Sequence, residues 1–149
     1  MSTYKVIIVG TDGSETSFRA VDRAAQIAAE ADARLIVASA YQAERRSAGP
    51  DPDQPAGEGY RTEGGAPLYD MLHEAKARAE AAGAKNVEER AIEGAPVDAL
   101  VTLVGEVGAD LLVVGNVGLS TIAGRLLGSV PANVARRSKT DVLIVHTTP

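Results

Sequence analysis

At 149 residues the chain has room for one α/β core, and a single domain over residues 1–149 is expected. Its hydrophobic content of 45% is carried by aliphatics and alanine, with four Tyr, one Phe and no Trp, which suits small-residue helices packed on a Val/Ile/Leu sheet. A net charge of −5 disfavours nonspecific attraction to nucleic acid or an anionic membrane, and the lack of cysteine excludes disulfides, thiolate catalysis and cysteine–zinc sites.

The first residues, Met1 to Lys5, lead straight into a strand-like run with no signal-peptide pattern. No apolar stretch is long enough to span a bilayer, so a soluble cytoplasmic protein is expected. Tyr4 to Gly10 (YKVIIVG) reads as a strand buried on both faces. Thr11-Asp12-Gly13-Ser14 is a turn, with Ser14 as helix N-cap. Phe18, Val21, Ala25 and Ala28 then recur at helical spacing. Arg34 to Tyr41 (RLIVASAY) is a second buried strand.

Gln42 to Gly65 carries Pro50, Pro52, Pro55 and five glycines without apolar periodicity. It reads as a long flexible loop, either disordered or a lid that could bring Arg45, Arg46 and Arg61 to a ligand. Pro67 starts a helix whose face continues through Leu68, Leu72, Ala75 and Ala79 to a stop at Gly83. Asn86 to Ile92 is a more charged strand, and Pro96 opens a helix striped by Val97, Leu100, Val101 and Val104. Asp110 to Val114 is strand four, Ser129 to Arg137 a short helix, and Asp141 to Val145 strand five. Strict alternation of this kind predicts an α/β fold, an open parallel five-stranded sheet with helices on both faces.

Between strand four and the last helix lies GNVGLSTIAGRLLGSV, Gly115 to Val130, with four glycines and no acid. In open parallel sheets ligands sit beyond the carboxyl ends of the strands. Glycines let backbone N–H groups converge on an anion, and the helix starting at Ser129 adds free N–H groups and a hydroxyl. Asp12, after strand one, can accept from ribose hydroxyls, so the two loops together suggest a nucleotide. The alternatives are that the glycines only make a turn and that Asp12 only holds the turn or caps the first helix. The loop is neither a Walker A nor a Gly-x-Gly-x-x-Gly motif. Gly124-x-x-x-Gly128 lies in no membrane-length apolar segment, so it is not read as a membrane helix-packing motif.

The spacing Gly115-x-x-Gly118, nine residues, then Gly128-Ser129 resembles the G-2x-G-9x-G-S/T signature of nucleotide-binding universal stress proteins. The Thr11–Ser14 turn and the terminal DVLIV strand resemble the same family over nearly the whole chain. The stretches VGTDGS, AVDRAAQIA, GAKNVEER, GAPVDALV and LLVVGNVGLSTIAGRLLGSVPANV are most similar to its actinobacterial, especially mycobacterial, cyclic-AMP-binding members. The resemblance implies strand order 3-2-1-4-5 and a homodimer. Carried over by position, it implies adenine at the backbone of Ala40 and ribose beside Thr11 and Asp12. It implies phosphate among Gly115, Gly118, Gly128, Ser129 and Val130, over a floor of Gly10 and Val114.

Two departures from ATP-binding relatives point to a single phosphate. Pro131 stands where many carry Ser or Thr, and Asn116-Val117 where many carry a basic residue or His. Gly10 also leaves room where ATP binders often have a larger residue. Cyclic AMP or AMP is therefore expected over ATP, with magnesium a companion of ATP only and no cofactor required. Asp12 is the one acid at the site, and His73 and His146 sit in no motif, so a non-enzymatic receptor or buffer is expected. The alternative is a slow ATPase or ATP-dependent switch. An FMN carrier is disfavoured by the scarcity of aromatics, and a response regulator by the lack of an acidic pair after strand one.

The last strand of a 3-2-1-4-5 sheet is an edge. Val142, Leu143, Ile144, Val145 and His146 carry no lysine or proline, which invites pairing with a second copy. Arg136, Arg137 and Lys139 nearby offer the other outcome, an edge kept soluble by charge.

Overall fold

The computed structural model describes residues 4–41, 66–116 and 129–147. The strands are β1 (Val6–Gly10), β2 (Arg34–Tyr41), β3 (Asn86–Glu93), β4 (Leu111–Gly115) and β5 (Asp141–Val145). Between them run α1 (Glu15–Ala31), α2 (Ala66–Ala81), α3 (Pro96–Val107) and α4 (Ser129–Arg137). All neighbouring strands pair in parallel, in the order β3-β2-β1-β4-β5. The expected α/β architecture and strand order are both present.

The unbroken apolar runs of β1, β2 and β4 follow from burial on both faces. Side chains alternate across the sheet. Ile7, Val9, Leu35, Val37, Leu111 and Val113 pack on one face against Phe18, Val21, Leu72 and Ala75 of α1 and α2. Ile8, Ile36, Ala38, Leu112 and Val114 pack on the other against Leu100, Leu103 and Val104 of α3 and Val134 of α4. Alanine at 20, 24, 25 and 28 lets α1 lie close on the sheet. The stripe of α3 departs from expectation: Ala99, Leu100, Leu103 and Val104 are buried, while Val97 and Val101 are half-buried.

Helix α1 begins as its sequence predicts, the Ser14 hydroxyl accepting from Ser17 N–H at 3.1 Å. It ends at Asp32 in the left-handed region (φ 56°), whose N–H returns to the Ala28 carbonyl. Arg78 clamps α2 to α1: its Nη2 donates to Asp22 at 2.8 Å, and its guanidinium lies 5.0 Å from the Phe18 ring centroid. The hydrogen bond to Asp22, opposed by partial burial and assisted by Glu15, raises the pKa of this guanidinium above its usual value.

The start of β1 is held from far along the chain. The Asp110 carboxylate accepts from Lys5 N–H at 3.0 and 3.1 Å and from Val6 N–H at 3.0 Å, and Asp110 N–H donates to the Val6 carbonyl at 2.9 Å. Tyr4 donates its hydroxyl to Asp141 at 2.9 Å. At the edge, β5 leaves Ile144 43% exposed with Val142 and Leu143 half-buried. Among the described residues no helix is long and apolar enough to cross a membrane.

Candidate functional site

The carboxyl ends of β1, β2 and β4 come together at one rim of the sheet. Beyond β1 the chain turns over residues 11–14, and several polar groups of that turn have local tasks. Thr11 N–H donates to the Ala38 carbonyl at 2.9 Å, tying the turn to β2. The Thr11 hydroxyl, 1% exposed, lies 2.6 Å from the Ser17 hydroxyl and accepts from Gly13 N–H at 3.1 Å. One Asp12 carboxylate oxygen accepts from Ser14 N–H at 2.9 Å. The turn needs glycine at position 13, where φ is +86°.

Beside this turn a small concavity is lined by Gly10, Thr11, Asp12, Ala38, Ser39, Ala40, Pro96 and Leu100. It unites four of the expected ligand residues, Gly10, Thr11, Asp12 and Ala40. Within it the hydroxyl of Thr11 and one oxygen of Asp12 are engaged in the turn itself. The second Asp12 oxygen makes no hydrogen bond among the described residues and is open to solvent. Asp12 therefore has the structural task weighed for it and keeps an acceptor for a ligand hydroxyl.

Val114 and Gly115 are buried at the end of β4, where they stand level with Ile144 and Val145 of β5. Val114 belongs to the core beneath α3 and α4 and does not line the concavity. Ser129 and Val130 are the first residues of α4. Gly118, Gly128 and the loop at 42–65 lie outside the described residues.

Asn116 has a role that the sequence did not announce. Its backbone N–H donates to the Val145 carbonyl at 2.9 Å. Its side-chain oxygen accepts from both Thr147 N–H and the Thr147 hydroxyl, each at 2.9 Å. Thr147 is fully buried, and its carbonyl accepts from Arg19 Nη1 of α1 at 2.7 Å. The first residue after Gly115 is thus latched to the exit of β5 through its N–H and its side-chain oxygen. The remaining lining residues were also missed. Ser39 had a readable signal, a lone hydroxyl near the end of an apolar strand; Pro96 and Leu100 had none, since only the packing of α3 on the sheet brings them there.

His73 is exposed and meets Glu89 of β3 at 2.6 Å. His146 is exposed, 3.5 Å from the Asn116 amide nitrogen. Neither lines the concavity. Among the described residues no cluster of three His, Asp or Glu side chains could hold a metal ion.

An open parallel sheet whose strand order reverses beside β1, with a turn and strand ends meeting at one rim, defines a class of α/β proteins that take ligands at such a topological switch point. Within that class the chain belongs to the universal stress protein family, whose model matches residues 3–146. Universal stress protein Rv1636 of Mycobacterium tuberculosis is 68% identical over 148 residues, covering 99% of this chain and 100% of the relative. Among solved structures, a universal stress protein in complex with cAMP is 61% identical with a TM-score of 0.76, covering 99% of this chain and 100% of that one. UspA from Lactobacillus plantarum shares the fold at 21% identity, with a TM-score of 0.78 over 98% of this chain and 100% of its own.

Proposed function

We propose that this universal stress protein binds an adenine nucleotide carrying one phosphate, cyclic AMP or AMP, and acts as a receptor or buffer rather than as an enzyme. The observation that carries this reading is the relative at 61% identity, alike over 99% of this chain, whose crystal structure contains cAMP. The concavity beside the 11–14 turn supports it. Adenine meets the Ala40 backbone at the rim of β2, ribose the open Asp12 oxygen over Gly10, and phosphate the N–H groups of the glycine loop and of α4 at Ser129 and Val130. Asn116 favours one phosphate over three, because it brings no positive charge to an outer phosphate. Pro131 supplies no hydroxyl there either.

The test is isothermal titration of nucleotide-stripped protein with cyclic AMP, AMP and ATP–magnesium, with Gly118→Asp as control. Tighter binding of cyclic AMP that the control abolishes is the expected result. Tighter ATP binding would reverse the assignment and call for turnover assays. No binding of any of the three would leave the glycine loop a structural turn.

The homodimer is part of the same proposal. Among the described residues β5 is an edge strand with no neighbour beyond it, around an exposed Ile144, a face suited to a second copy. Ile144→Lys should give a monomer in sedimentation, and an unchanged dimer would exclude this surface.

A further inference from the structure

The sequence has no cysteine and two methionines, so Met71 carries its one sulfur atom besides that of Met1. Met71 lies on α2, half-buried at the margin of the core. It packs on the turn after β1: a methyl group built on Gly13 would stand 2.8 Å from Met71 Cγ and 3.7 Å from Sδ. The thioether therefore forms the apolar support of the turn that carries Asp12.

Four amides of that turn and of the start of α1 are already engaged within it. Gly13 N–H is given to Thr11 Oγ1, Ser14 N–H to Asp12 Oδ1, Ser17 N–H to Ser14 Oγ, and Phe18 N–H to the Ser14 carbonyl. A sulfoxide oxygen is a strong acceptor on a side chain made polar and chiral. At Met71 it must either take a donor from the turn or swing out to water. In both cases the packing against Gly13 is lost, and with it the apolar support of the turn that carries Asp12.

We propose that Met71 is an oxidation site through which peroxide weakens nucleotide binding, an inference that rests on the nucleotide-binding reading above. In the step, an oxygen of the peroxide transfers to Sδ. The S–O bond forms as the O–O bond breaks, the sulfur loses two electrons, and the peroxide is reduced to water. Met71 acts as a positioning residue, through the turn, and does not itself meet the ligand. Because the product is a sulfoxide, a methionine sulfoxide reductase can reverse it.

The experiment treats the full chain with hydrogen peroxide, locates the added oxygen by peptide mass spectrometry, and titrates cyclic AMP before treatment, after it, and after reductase. Affinity is expected to fall about tenfold, what one lost hydrogen bond is worth, and to recover with the reductase. In Met71→Leu, which keeps an apolar support but no sulfur, peroxide should not change the affinity. Oxidised Met71 with unchanged affinity would overturn the proposal, as would a Met71 that resists doses oxidising Met1. Hydrogen exchange at the Gly13, Ser14 and Ser17 amides separates the two failures. If the untreated protein binds no nucleotide, the functional reading fails alone; amide protection unmoved by oxidation would then sink this inference as well.

Discussion

Replacing Gly13 by alanine tests how the turn after β1 is built. The residue sits at φ +86°, and a left-handed backbone costs an L-residue about 1–2 kcal/mol. The new methyl would lie 2.8 Å from Met71 Cγ, so Met71 must leave its rotamer, at about 0.5–1.5 kcal/mol. Against these stands a gain of about 0.4–1 kcal/mol from a stiffer unfolded chain. The net loss is about 2 kcal/mol, a fall in Tm of about 4–8 °C for a domain of this size. Urea unfolding followed by circular dichroism measures it, at one fixed protein concentration because assembly shifts apparent stability. The same substitution in a Met71→Ala background isolates the packing part, and its cost there should be about 1 kcal/mol smaller. A Gly13→Ala protein as stable as the parent would refute the backbone part. An identical loss in both backgrounds would refute the contact with Met71.

Three further outcomes are expected. Asp110→Ala strips the acceptor from Lys5 and Val6 N–H and should lower unfolding free energy by about 2 kcal/mol, with Asp110→Asn losing less; thermal melts of the two variants decide it. Asn116→Ala leaves the buried Thr147 N–H and hydroxyl without their acceptor and should also cost about 2 kcal/mol, with faster hydrogen exchange at the Thr147 amide. The hydrogen bond from Tyr4 to Asp141, helped by partial desolvation and the negative charges of Asp141 and Asp110, raises this phenol above its usual 10.0. The folded state thus favours the protonated phenol, so the bond stabilises below pH 10 and is lost as pH rises through the higher folded value. Absorbance titration of the parent against Tyr4→Phe should show that late ionisation, and Asp141→Asn should bring it down.

Much of the fold was legible because a parallel sheet buried on both faces writes its strands as unbroken apolar runs. Arg34–Tyr41 and Asp141–Val145 have the bounds that their sequences suggest. Helix α3 was harder, since its apolar residues nearly encircle it; Leu103 is buried where Val101 was expected. At the site, the turn and the end of β4 could be read from glycines and from Asp12. The tie between Asn116 and Thr147 could not, because nothing local to either residue tells of a partner 31 positions away. Pro96 and Leu100 read only as helix start and core, and the concavity exists because α3 is laid across the end of β2.

The position of β1 also dictates the order in which the molecule can assemble. The earliest of the five strands in chain order is the centre of the sheet, flanked by β2 and β4. Its neighbour β2 follows at once, but its other side must wait for residues 111–115. The bonds that fasten its start, from Lys5 to Asp110 and from Tyr4 to Asp141, span 105 and 137 positions. A growing chain therefore carries a half-sheet with a bare apolar edge until residues 111–115 are made. Such long-range pairing is slow and leaves the edge open to other chains meanwhile. The rim between β1 and β4 waits for residues 111–115, and completion of the sheet for residues 141–145.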